Sequence, residues 1–263
     1  MKTLQILFSS ILVVFLLTSC EKTIDIELDE STSKIVIEGI VTDQLKALSV
    51  KVSKSGSYFN SAEYPKVSGA EVTITDDAGN TFHLIETAQG FYETDSEIRG
   101  VSGRNYYLAV TTEGKTFTST AKMPEPVSID SVSFEESTFM SSESDYVVKT
   151  YFKDSVKEGD NYRLNFYKNG QLSKDHFLTN DKFTNGNRMT ADFYGQKIKK
   201  GDSVSVEMYV MDKDVYSYFN TLQHISNGQS SMAAPENPIS NISNGALGYF
   251  GAFSIASKGI KVE

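Results

Sequence analysis

The side chains able to do chemistry in this chain are scattered along it. His83, His176 and His224 stand far apart, and none falls in a paired-ligand or His-Glu-x-x-His spacing. His83 alternates within a strand-like run and His224 sits in a helix-like one, so structural or surface roles account for all three. Serines are abundant, yet no Gly-x-Ser-x-Gly elbow presents one to a base. Asp76-Asp77-Ala78-Gly79-Asn80 has the oxygen content of a calcium loop without its alternating ligands or terminal bidentate Glu, so a hairpin turn is expected. Asp212-Lys213-Asp214 suits the N-terminus of a helix, as cap and as complement to the macrodipole. The reading is of a non-enzymatic protein with no catalytic residue, no metal site and no cofactor.

Cys20 is the exception. Lys2 supplies a positive start, and Ile6 to Leu17 is apolar apart from Ser9 and Ser10. That run is too short for the ~20 residues a membrane-spanning helix needs, and it has the size of a signal-peptide core. It ends in Leu17-Thr18-Ser19-Cys20, which resembles the lipobox of bacterial lipoproteins. Residues 1–19 therefore read as a signal peptide, and Cys20 as the site of a covalent diacylglycerol and N-acyl lipid. At ~0.8 kcal/mol per buried methylene, several acyl chains hold a protein stably at a membrane. No second cysteine exists, so no intramolecular disulfide forms and packing alone must hold the fold. The formal charge of −9 becomes −10 once Lys2 is removed with the signal, which leaves no electrostatic footprint for nucleic acid.

Residues 20–33 read as an acidic tether in which Ile24, Ile26 and Leu28 alternate with Asp25, Glu27 and Asp29. Strands follow at regular spacing: Lys34–Val41, Ser49–Lys54, Glu71–Thr75, Thr81–Glu86, Asn105–Thr112 and Lys115–Ala121, with turn residues between. The spacing predicts an immunoglobulin-like β-sandwich over 34–122, although no Trp and no disulfide pair mark it. Met123-Pro124-Glu125-Pro126 reads as a linker. Ser131–Glu135, Tyr146–Lys153, Asn161–Lys168 and Ser203–Met211 are again strand-like, so 127–263 is expected to be a second β-rich domain. Val215, Tyr218, Phe219, Leu222 and Ile225 fall at helical spacing and predict one amphipathic helix at about 212–227. The fold class expected is all-β, two tandem β-sandwich domains, the second carrying this helix.

Pro235-Glu236-Asn237-Pro238, Ser240-Asn241-Ile242 and Gly245 through Phe253 resemble the C-terminal signature of a Bacteroidota lipoprotein family, the domain of unknown function 4249 family. Cys20-Glu21-Lys22, Val36-Ile37-Glu38-Gly39 and Val67-Ser68-Gly69-Ala70-Glu71-Val72 fit it as well. The resemblance implies an outer-membrane lipoprotein, often encoded beside a TonB-dependent transporter, and brings no catalytic residue. An accessory or binding subunit of such a transporter is the function expected. A glycan- or peptide-binding surface lipoprotein and a structural or adhesive envelope protein are the alternatives. The acidic stretch after Cys20 leaves open whether the protein faces the cell surface or the periplasm.

Asn237 and Asn241, in the Asn-, Ser- and Pro-rich loop Gln229–Gly245, and Tyr249 and Phe250, in a glycine-flanked run that allows close backbone approach to another strand or to a partner, are the candidate partner contacts. Asp130-Ser131-Val132, Asp154-Ser155-Val156 and Asp202-Ser203-Val204 resemble the short O-glycosylation sequence of that phylum, which makes Ser131, Ser155 and Ser203 candidate modification sites.

Overall fold

The computed structural model describes residues 33–56, 64–136, 146–226 and 237–263. The expected signal peptide, Cys20 and the tether as far as residue 32 lie outside the described residues, as do residues 227–236, which include the last position of the expected helix.

Period-two burial writes the first half. β1 (Ile35–Thr42) turns Ile35, Ile37 and Val41 inward, and β2 (Ser49–Lys54) does the same with Val50 and Val52. β3 (Glu71–Asp76), β4 (Thr81–Ala88), β5 (Phe91–Glu93), β6 (Asn105–Thr112) and β7 (Lys115–Lys122) complete it in the order β1-β2-β5-β4-β3-β6-β7. β4 turns the corner, pairing through Thr81–Leu84 with β3 and through Ile85–Ala88 with β5. The core so enclosed includes Ile37, Val50, Tyr92, Ile74, Tyr106, Leu108 and Phe117.

The second half contains β8 (Ile129–Glu136), β9 (Tyr146–Lys153), β10 (Asn161–Lys168), β11 (Gln171–Asn180), β12 (Arg188–Ile198), β13 (Ser203–Met211), α1 (Lys213–Ser226) and β14 (Leu247–Lys261). β12-β9-β8 form one layer and β11-β10-β13-β14 the other. Between them lie Phe152, Tyr162, Leu164, Phe166, Phe193, Val206 and Met208.

Met123, the first residue of the expected linker, belongs to the first core, and Val127, just after it, belongs to the second. Yet Ser33–Glu263 is one compact unit. The cause is β14. From Leu247 to Phe253 it pairs in parallel with β1, and from Ser254 to Lys261 antiparallel with β13. Ile242, Ala246, Phe250 and Ala252 thereby enter the first core, which residues 34–122 do not close by themselves. The crossing is pinned on both sides. Asp43 Oδ1 accepts from Ile255 N at 3.0 Å, and Ser254 Oγ donates to the linker carbonyl of Pro124 at 2.7 Å.

α1 covers this crossing. Asp212 is its N-cap, with Oδ1 accepting from Val215 N at 2.9 Å. Val215, Tyr218 and Phe219 pack with Met211 and Phe253 on the outer sheet face, against Ile40, Tyr209, Tyr249 and Ile255.

Candidate functional site

Asn241 and Phe250 are brought together, but by each other. Asn241 Nδ2 donates to Phe250 O at 2.8 Å, and Phe250 N donates to Asn241 Oδ1 at 2.9 Å. The amide side chain thus imitates a neighbouring strand along the edge of β14. The Phe250 ring has no exposed surface and fills the first core beneath Gly39, so the partner contact expected there is corrected to a core position. Close approach in this glycine run is to the protein's own β1: a Cβ on Gly248, which has φ +96°, would stand 2.0 Å from Ile37 O. Asn237 is exposed, and Tyr249 is half-buried on the outer face.

Around Tyr249 the outer face carries an aromatic and cationic group. The Tyr249 ring lies 4.9 Å from both Tyr218 and Phe219, and Arg163 Cζ sits 4.4 Å from the Phe219 centroid. Arg163 stands on β10 opposite Tyr209 of β13. Its Nε donates to Asn165 Oδ1 at 3.1 Å. Nearby, Glu207 Oε2 accepts from Tyr167 at 2.7 Å and from Tyr209 at 3.1 Å. Burial and the Glu207 bond push the Tyr167 hydroxyl up to about 12.

A second grouping forms where the loop after β9 meets the loop after β11. Carboxylate oxygens of Asp154, Asp160 and Asp181 lie within 4.8 Å of one another, the donor type and spacing of a hard-cation site. Internal donors already serve two of them. Asp181 Oδ2 accepts from Gly159 N at 2.7 Å and from Asp160 N at 3.0 Å, while Asp154 accepts from Tyr162 Oη and, at 2.9 Å, from Gly186 N. Asp160 Oδ2 is enclosed with no hydrogen-bond partner among the described residues. Burial and the charges of Asp154 and Asp181 raise its pKa, with Ser155 and Lys157 acting in the opposite sense. Beside these loops a cleft of about 630 Å³ is lined by Asn161, Asn180, Asp181, Lys182, Lys213 and Tyr216. Sequence reasoning missed this grouping because Asp154 stood only as part of an Asp-Ser-Val sequence and Asp181 lies over 20 positions from Asp160.

The other sequence candidates do not converge. His83 lies on β4, His176 on β11 and His224 on α1. The Asp76–Asn80 run is the hairpin turn expected. Asp76 Oδ1 accepts from Ala78 N at 3.1 Å and Asn80 N at 2.9 Å, and Oδ2 takes Arg104 Nη1 at 2.7 Å. Burial works against that carboxylate, and Asn80 and Arg104 together hold its pKa below the usual value. Ser131 is half-buried on β8, Ser155 is half-buried in the acidic loop, and Ser203 is exposed at the start of β13. Asp154 is only 2% exposed, so that Asp-Ser-Val copy does not present its acidic residue.

The architecture is that of an all-β protein of sandwich build, with two cores and, among the described residues, one helix, laid over the strand the cores share. The chain belongs to the family described as Domain of unknown function (DUF4249), whose model matches residues 21–259. Among solved structures it is similar to a two-domain fibronectin type III segment of chicken tenascin, at 13% identity and a TM-score of 0.23, covering 68% of this chain and 90% of that one. A cytokine receptor complex is similar at 8% identity and a TM-score of 0.27, covering 86% and 95%. Trypsin-activated alpha-2-macroglobulin from Escherichia coli is similar at 8% identity and a TM-score of 0.21, covering 68% and 14%. No curated protein matches the sequence.

Proposed function

We propose that this protein is a non-catalytic lipoprotein of the outer membrane that serves as an accessory or binding subunit of a TonB-dependent transporter system. The observation that carries the reading is Leu17-Thr18-Ser19-Cys20, placed shortly ahead of a compact β unit that begins at Ser33. Acyl chains on Cys20 confine the unit to the membrane plane and raise its effective concentration beside a membrane partner, so modest protein contact suffices. No helix among the described residues is long and apolar enough to cross a membrane, which leaves the lipid as the attachment this reading relies on.

The test is co-purification of tagged protein from detergent-solubilised outer membranes. A TonB-dependent transporter is expected in the eluate, and Cys20→Ala is expected to remove both the membrane fraction and the transporter. A monodisperse lipoprotein with no transporter bound would overturn the proposal. Capture of a glycan or peptide for the transporter is a second reading, favoured by the half-buried Arg163, Tyr209 and Tyr249 on one sheet face.

A further inference from the structure

We infer that Arg163 is the centre of a carboxylate-binding site on the outer face of the sheet, at the edge of α1. The inference does not depend on the lipid anchor. Odd-numbered side chains of β10 and β13 point away from the second core, which takes Leu164, Phe166, Val206 and Met208. Arg163 therefore points to the outer face, where its Cζ lies over the Phe219 ring, 4.4 Å from the centroid. Burial works against its charge, and Tyr249, Tyr209 and Tyr167 only partly offset that.

A half-buried guanidinium normally finds a carboxylate. Arg163 finds none. Its only hydrogen bond among the described residues runs from Nε to Asn165 Oδ1, and it enters no ion pair. Glu207, on the same face, is instead engaged by the hydroxyls of Tyr167 and Tyr209.

The neighbours of Arg163 share the same excess of donors. Arginine only donates, so the Asn165 atom facing Nε must be the oxygen, and the amide nitrogen is left to donate elsewhere. Asn165 is 9% exposed, and no acceptor among the described residues meets that nitrogen. The Tyr249 hydroxyl likewise has no partner among them, while its ring is held 4.9 Å from Phe219. The remaining guanidinium N–H groups of Arg163, the Asn165 amide nitrogen and the Tyr249 hydroxyl are donors on one sheet face with no acceptor among the described residues, and together they form a socket for an anion.

The planar guanidinium fork matches a single carboxylate in two parallel hydrogen bonds, while Glu38, paired with Tyr249 from β1, and Glu207 already place two negative charges on this face. A phosphate dianion would call for further positive charge that the cluster does not supply. The carboxylate can belong to an acidic sugar or to a peptide C-terminus, and the aromatic walls suit either.

The test is calorimetric titration of the mature acylated protein in detergent micelles. The probes are trigalacturonate and its methyl ester, and tetra-alanine with a free C-terminus and its C-terminal amide. One carboxylated probe is expected to bind, identifying the source, and masking its carboxylate weakens binding about tenfold or more, as loss of a charge-assisted bidentate contact does. Arg163→Gln shows the same loss. Tyr249→Phe, which keeps the ring packing, weakens binding several-fold and serves where Arg163→Gln does not fold. The inference is overturned if neither carboxylated probe binds better than its masked form. Unchanged affinity in whichever variant folds overturns it as well.

Discussion

Two aspartates show how differently the same side chain behaves in this fold. Asp76 was legible as a turn residue because its partners, Ala78 and Asn80, lie within four positions of it, and its charge is met by Arg104. Asp160 was not legible as a strained group, because the carboxylates that crowd it come from Asp154 and from Asp181 across the β10–β11 hairpin. Its raised pKa means that the folded state binds the proton more tightly than the unfolded chain. Stability contributed by that proton is complete below the ordinary value of 3.8 and is lost as pH rises through the higher folded value. Once that proton is lost, Asp160 faces two like charges with its Oδ2 unpartnered among the described residues. Asp160→Asn should raise the thermal midpoint by a few degrees at pH 7, and the difference should vanish near pH 3. Thermal unfolding followed by circular dichroism across that range checks it, and a lower midpoint at pH 7 would refute the account.

At the scale of elements, strands with clean alternation were legible and those without it were not. β13 reads Val204, Val206, Met208 and Val210 on its buried face, and Ser203–Met211 is recovered to the residue. β11 escaped notice because Leu172 is 57% exposed and polar residues fill the strand, which lies at the sheet edge. β12 hides Met189, Ala191 and Phe193 among Arg188, Thr190 and Asp192, an alternation masked by the small alanine. The half of β14 after Ser254 was missed for a similar reason, since Ser257, Lys258 and Gly259 resemble a loop until β13 pairs with them. Asn241 shows why a polar residue beside such a strand can serve the fold and not a partner. Its amide occupies both main-chain groups of Phe250, which otherwise face no strand on that side. Asn241→Ala strands a buried N–H and C=O and should cost about 1–3 kcal/mol. Urea unfolding measures it, and a loss below a few tenths of a kcal/mol would show that water replaces the amide.

For the whole molecule, the consequence of β14 is mechanical coupling between two cores that are otherwise separate in sequence. Adjacent domains joined only by a linker such as Met123–Pro126 would unfold independently. Here one strand serves both sheets, and α1 lies across the junction with Val215 and Phe219 against Phe253. Gly248 is the place to test the coupling, because it lies in the β1-paired segment, far along the strand from β13. A Cβ there would meet Ile37 O at 2.0 Å, on a backbone whose φ of +96° already disfavours any L side chain. The backbone strain alone is worth about 1–3 kcal/mol, and the collision adds to it. Gly248→Ala should therefore lower stability by more than that range, and amide exchange should quicken in β10 and β13 as well as in β1 and β2. A single cooperative unfolding transition at a lower midpoint is the expected calorimetric trace. If only the first-core amides quicken while those of Val206 and Met208 keep their protection, the cores fold separately and β14 is a tether between them. Coupling also bears on binding, since Arg163 sits on the second-core sheet and Tyr249 on the first-core half of β14, so the carboxylate socket keeps its shape only while the two cores move as one.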